Sequence, residues 1–193
     1  DALMHRTEKR PLPAGRLSPR AVLWFGGILG AAGTIVLAVH VNPLTSLIGV
    51  IALGMYLFIY TPMKRKTPLC TLVGAVPGAA PAVMGWTAAS GRMDAGAWVL
   101  FAIHFVWQIP HFMAIAAIYR EDYQAGGLPM LPVRDMRMAE RQSLLYSLAL
   151  LPISLVPSFL DITVTLYLWG AAILGMAFFS SVLFRMAPKM VFL

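Results

Sequence analysis

The sequence predicts an all-α, polytopic transmembrane helix bundle, on three observations. Hydrophobic residues fill 59% of the 193 positions and charged residues only 12%, with a mean hydropathy of +0.75, a composition suited to a bilayer rather than to water. The apolar residues fall into six runs, each near the roughly 20 residues that carry a helix across about 30 Å of hydrocarbon. If successive runs alternate in direction, every basic residue except Arg92 lies on one face: Arg6, Lys9, Arg10, Arg16, Arg20, Lys64, Arg65, Lys66, Arg120, Arg134, Arg137, Arg141, Arg185 and Lys189. That asymmetry marks the basic face as cytoplasmic. The net charge of +7 therefore needs no nucleic-acid partner, and attraction to anionic membrane lipid accounts for much of it.

The runs are justified in order by their punctuation. The first, 20–41, follows Ser18-Pro19, and the second, 43–60, follows Asn42-Pro43. Each pair sets a capping side chain before a proline suited to a first helical turn. The third run, 69–89, carries Pro77 and Pro81 and closes at Gly91; the fourth, 95–118, carries Pro110. The fifth, 143–160, carries Pro152 and Pro157, and Asp161 turns the chain into the sixth, 163–184. Interior prolines remove a backbone donor, so each is expected to kink its helix and open space between neighbours. Cys70 has no other cysteine to pair with and is expected to be a reduced thiol beside a cytoplasmic loop. Residues 1–193 read as one integral-membrane domain. The chain opens on Asp1 without a methionine and stops within the apolar run Met190-Val191-Phe192-Leu193, so it is expected to be part of a longer protein.

Three segments on the basic face carry the chemistry. In Asp1-Ala2-Leu3-Met4-His5-Arg6-Thr7-Glu8-Lys9-Arg10-Pro11, Arg6 and Arg10 are spaced to share one face of a helical turn, one to two turns after a carboxylate. Two guanidiniums with a carboxylate suit a polyanion and a metal, although a solvated basic loop would show the same pattern. In Tyr60-Thr61-Pro62-Met63-Lys64-Arg65-Lys66 a phenol at a helix end precedes three cations, which an interfacial aromatic and snorkelling lysines would also explain.

The third segment follows the fourth run: Tyr119-Arg120-Glu121-Asp122-Tyr123-Gln124-Ala125-Gly126-Gly127. At about 100° per residue, His104, Gln108, His111, Ile115, Tyr119 and Asp122 fall within about 60° of one another, a polar stripe that must face protein or water. Function and packing are both open for His111, whereas packing is the expectation for His104. Gly126-Gly127 should end the helix. On a straight helix His111 and Asp122 would stand roughly 16 Å apart.

Together these segments resemble the UbiA-type intramembrane prenyltransferases, and among them the haem-directed members. Asp1 to Pro11 is similar to the end of the family's first aspartate motif, whose earlier Asn and Asp would precede Asp1. Tyr60-Thr61-Pro62 with Lys64-Arg65 is similar to its tyrosine and basic pair. Trp107-Gln108-Ile109-Pro110-His111-Phe112, followed by Tyr119 to Pro132, is similar to the haem-specific second motif. The combination spans essentially the whole chain. Where other members carry an Asp four residues before the main acid of the second site or nearby, Tyr119 and Glu121 flank Asp122 here, which points away from aromatic-acid prenylation.

The resemblance implies a fold of about nine helices, of which this chain would lack the first, most of the second and the last. It implies farnesyl transfer from farnesyl diphosphate to a vinyl group of haem b, with pyrophosphate as leaving group and Mg²⁺ as cofactor. Asp1, Asp122 and Glu121 are the metal candidates, with Asp122 preferred because it lies on the stripe. Arg6, Arg10, Tyr60, Lys64, Arg65 and Arg120 would hold the diphosphate, and Asp1, Asp122, Arg6, Arg10 and Lys64 would form the catalytic set. Trp107, Gln108 and His111 would bind haem. The compact loops favour a bacterial inner membrane over a mitochondrial one, the charge asymmetry sets the site on its cytoplasmic side, and the resemblance adds a downstream haem A synthase or oxidase assembly as an expected partner. Two alternatives stand beside it: a related prenyltransferase acting on a quinone precursor or another ring, which would not need the Trp107–His111 segment, and a membrane transporter, which would continue polar groups to the far face.

Overall fold

A computed structural model describes residues 2–190, with side chains placed through residue 184. Every element among the described residues is helical, and six helices are long and apolar enough to cross a membrane: Pro19–His40, Pro43–Met63, Cys70–Ser90, Ala95–Ile118, Met136–Phe159 and Thr165–Phe184. They are the first to sixth spans below. With no sheet available, an α-helix satisfies its own backbone in lipid, and this chain solves the bilayer problem that way throughout.

The predicted caps form. The Ser18 hydroxyl accepts from the Ala21 N–H at 3.2 Å, and the Asn42 side-chain oxygen Oδ1 from the Thr45 N–H at 2.8 Å. Asn42 also donates to the Thr87 carbonyl at 2.8 Å, and the Thr45 and Thr87 hydroxyls pair at 2.9 Å, so the Asn42 cap doubles as a bolt between the second and third spans. Gly91 takes the left-handed conformation (φ +70°) that closes the third span. The helices run through all five interior prolines without interruption.

Two boundaries differ from the hydropathy reading. The fifth span begins at Met136, capped by the Asp135 carboxylate accepting from the Met138 N–H at 2.9 Å, and not at 143. Its first two turns carry Arg137, Glu140 and Arg141, charges that hide a helix from a hydropathy window. The second span continues to Met63 through a π-helical turn, Met55–Tyr60. There the Thr61 N–H bonds back five residues to the Tyr56 carbonyl, joined by the Thr61 hydroxyl at 2.8 Å; the wider turn accommodates Pro62, which has no N–H to offer.

Each span packs chiefly on its neighbours in sequence. Burial is greatest in the middle: 39% of the third span's apolar window and 33% of the fourth's are buried, against none in the first and sixth. Ala75, Ile109, Met113 and Ala139 form the core where the third, fourth and fifth spans meet. Small residues on the third span permit that approach. The outer faces, such as Leu23, Trp24 and Phe25 on the first span and Leu166 and Trp169 on the sixth, are the lipid-facing surface of an integral membrane protein.

Candidate functional site

The N-terminal segment and the segment after the fourth span, far apart in sequence, are clasped together on the basic face. The His5 backbone N–H donates to Asp122 Oδ1 at 3.0 Å. Arg6 Cζ lies 4.2 Å from the centroid of the Tyr119 ring. Met4 is buried against Gly126, where an added Cβ would stand 3.0 Å from Met4 Cγ. Asp122 is thereby fixed by a main-chain donor while remaining partly exposed. Glu121 is beside it in the first turn of the short helix Arg120–Ala125, but exposed.

The local fold explains this placement. The fourth span ends at Ile118 because Tyr119 leaves helical geometry (φ −102°, ψ 33°). The helix Arg120–Ala125 is therefore a separate piece, and neither a stripe continued to Asp122 nor a straight-helix separation of roughly 16 Å applies beyond Tyr119. The short helix ends as its glycines predict: the Leu128 N–H reaches the Tyr123 carbonyl at 2.9 Å and the Gly127 N–H the Gln124 carbonyl at 3.0 Å, with Gly127 at φ +64°, a Schellman closure. Arg120 bonds the Val133 carbonyl at 3.4 Å, which folds residues 120–134 back on themselves.

Tyr60 reaches the same region from the second span. Its ring presses on Gly74 so closely that a Cβ there would stand 2.7 Å from Tyr60 Cε2, and it lies within electrostatic reach of Cys70 and Tyr123. Cys70, buried, contacts Met130 Sδ at 3.9 Å. Lys64 is partly buried and within electrostatic reach of Cys70, whereas Arg10 and Arg65 are exposed. Asp1 lies outside the described residues.

The polar residues of the fourth span part company. Gln108 is buried, donating to the Ala75 carbonyl at 3.4 Å and the His104 carbonyl at 3.2 Å; its amide fills the space left open by Gly78, where any Cβ would overlap it. It is committed to helix packing. His104 Nδ1 pairs with the Leu100 carbonyl of its own helix at 3.1 Å. His111 is instead exposed and stacks on Trp107, ring centroids 4.8 Å apart and planes inclined by 14°. Both line a cavity of about 780 Å³ between the fourth, fifth and sixth spans, together with Met113, Glu140, Ser143 and Ser181. That volume lies in the range of roughly 300–1,000 Å³ usual for ligand pockets.

Sequence reasoning missed Glu140 and the role of Tyr119. Glu140 sits in the helical turns that hydropathy could not see; an i, i+3 and i+4 reading of 136–143 was the available signal. Nothing in sequence alone pairs Tyr119 with Arg6.

What the fold and site define is a membrane-embedded helical protein with cations, a carboxylate and phenols gathered at one membrane face above an apolar interior. The chain belongs to the UbiA prenyltransferase family, whose sequence profile matches residues 1–189. It is 51% identical over 183 residues to a protoheme IX farnesyltransferase of Solibacter usitatus (strain Ellin6076), covering 94% of this chain and 63% of that protein. A protein of the same name from Myxococcus xanthus (strain DK1622) is 46% identical over 179 residues, covering 92% of this chain and 61% of the relative. One from Sorangium cellulosum (strain So ce56) is 46% identical over 182 residues, covering 93% and 64%. The chain thus spans a little under two thirds of the length of these relatives. No solved structure matches it.

Proposed function

We propose that the protein transfers a farnesyl group from farnesyl diphosphate to a vinyl group of haem b, in a bacterial inner membrane with its basic, diphosphate-binding face toward the cytoplasm. The observation that carries this reading is the clasp, which seats Arg6 on the Tyr119 ring and binds the neighbouring His5 main chain to Asp122 although 115 residues lie between Arg6 and Asp122 in the chain. The names of the bacterial relatives support the choice of substrates, and the single-sided basic charge supports the orientation.

The physical problem is to break an allylic C–O bond in a greasy interior. The bond opens only as fast as the charge growing on the departing diphosphate is neutralised. Arg6 and Arg10 would meet its oxygens with charge-assisted bonds, Lys64 and Arg65 would add positive potential, and Tyr60 would donate its hydroxyl. The farnesyl C1 loses the diphosphate with its electron pair and bonds to the outer vinyl carbon; the cation left on the inner vinyl carbon takes the oxygen of water, which releases a proton. Apolar helix walls keep water from C1 until the carbon–carbon bond has formed.

The residues fit a Mg²⁺ ion that arrives with the diphosphate. Among the described residues no three His, Cys, Asp or Glu side chains gather into a protein cage, but a hard cation needs only one or two carboxylates when phosphate oxygens and water fill its other positions. Asp122, with Asp1 or Glu121, would hold it, and it would supply further charge neutralisation to the leaving group.

For the acceptor, the cavity beside His111 and Trp107 has the volume and the aromatic lining that a macrocycle needs. Membranes containing the protein, incubated with haem b, farnesyl diphosphate and Mg²⁺, should yield a haem heavier by one farnesyl group and one hydroxyl. His111→Ala should weaken haem b binding and shift its Soret band without changing insertion. Unchanged binding, band and product would remove His111 from the acceptor site; absence of the heavier haem with the unaltered protein would overturn the reaction itself.

A further inference from the structure

Three consecutive residues of the N-terminal segment meet three successive turns of the segment after the fourth span, in reverse order: Met4 against Gly126, His5 against Asp122, Arg6 against Tyr119. The first contact is apolar and buried, and the second is a main-chain hydrogen bond. The third is different in kind, because it holds a cation by an aromatic face and fixes where that cation stands.

We propose that Tyr119 is a positioning residue for diphosphate binding, its ring serving as the platform that holds the Arg6 guanidinium within the clasp that also holds Asp122; this rests on the diphosphate reading of Arg6 given above. Arg6 is exposed and long, so without a platform it would sample many rotamers and lose that freedom on binding the anion. At 4.2 Å from the ring centroid the guanidinium is well inside the roughly 6 Å range of cation–π attraction. That attraction uses none of its five N–H donors, which stay available for phosphate oxygens. The break in the helix at Tyr119 (φ −102°, ψ 33°) takes this residue out of the helical register of the fourth span. The local conformation and the contact thus serve one placement.

Steady-state kinetics with farnesyl diphosphate as the varied substrate test this in membranes holding the protein. Tyr119→Leu should raise KM for farnesyl diphosphate about two- to fivefold, the equivalent of an exposed cation–π contact, with kcat and the KM for haem b nearly unchanged. Tyr119→Phe, which keeps the ring face, should restore the lower KM. Because Tyr119 acts through Arg6, adding Tyr119→Leu to Arg6→Ala should raise KM no further. A Leu variant with unaltered KM, or a double variant in which the two losses add, would overturn the platform while leaving the diphosphate site standing. If Arg6→Ala itself left KM unchanged, the reading of Arg6 would fail and the platform with it. Should the Leu variant fail to insert, Tyr119→Trp decides: the stronger ring face should hold KM at or below its original value, and a raised KM would contradict the proposal.

Discussion

Asp122→Asn is expected to lower Mg²⁺-dependent farnesyl transfer by about 10²–10³-fold, the scale of removing one group that stabilises charge developing in a transition state, while leaving the amount of inserted protein unchanged. The two halves of this expectation have separate causes. Asn keeps a side-chain oxygen that can accept the His5 N–H, so the clasp seen at 3.0 Å survives. What it loses is the negative charge, and with it the hard anionic ligand for a divalent cation. Rate measurements at saturating farnesyl diphosphate and graded Mg²⁺, normalised to inserted protein, check the result. Glu121→Gln is the companion variant and should cost much less, because Glu121 is exposed and Asp122 alone of the two is fixed by the N-terminal segment. Full activity in Asp122→Asn would remove this residue from the metal site.

Arg6→Ala is expected to reduce kcat/KM for farnesyl diphosphate about ten- to a hundredfold, corresponding to about 1.5–3 kcal/mol for hydrogen bonds involving a charged group. The guanidinium faces an anion whose charge is still increasing as the C–O bond opens, so both binding and turnover should fall. Arg6→Lys should recover only part of the loss, since an ammonium keeps the charge but not the planar fork. Initial rates over a range of farnesyl diphosphate concentrations separate the two components. The surface position of Arg6 makes a folding defect an unsuitable explanation for the change, and protease resistance of the inserted variant would confirm that.

Much of the architecture was legible because lipid imposes a simple rule. Residues 95–118 are the fourth span in sequence and in structure alike, and Ser18, Asn42 and Gly126-Gly127 do what their backbone chemistry requires. The rest depended on contacts between elements. The charged opening turns of the fifth span read as loop because hydropathy averages over faces. The π-helical turn before Pro62 has no periodic signature in so short a run. In the fourth span, periodicity gathered Gln108 and His111 onto one stripe but could not say which neighbour each would meet; the small Gly78 receives Gln108, while His111 turns to the cavity. Arg6 and Asp122 were each readable as site candidates, yet only the folded chain joins them through Tyr119 and the His5 main chain.

The convergence of these two distant segments is the claim on which the proposed site rests, and an engineered cross-link between Met4→Cys and Gly126→Cys tests it directly. With Cys70→Ala removing the only native thiol, mild oxidation in membranes should close the bridge in most molecules, because Met4 Cγ lies 3.0 Å from where a Cβ at Gly126 would stand, compatible with the Cβ separation of about 3.5–4.5 Å in disulfides. A yield no higher than that of Met4→Cys with Ser90→Cys, placed at the opposite end of the bundle, would contradict the account.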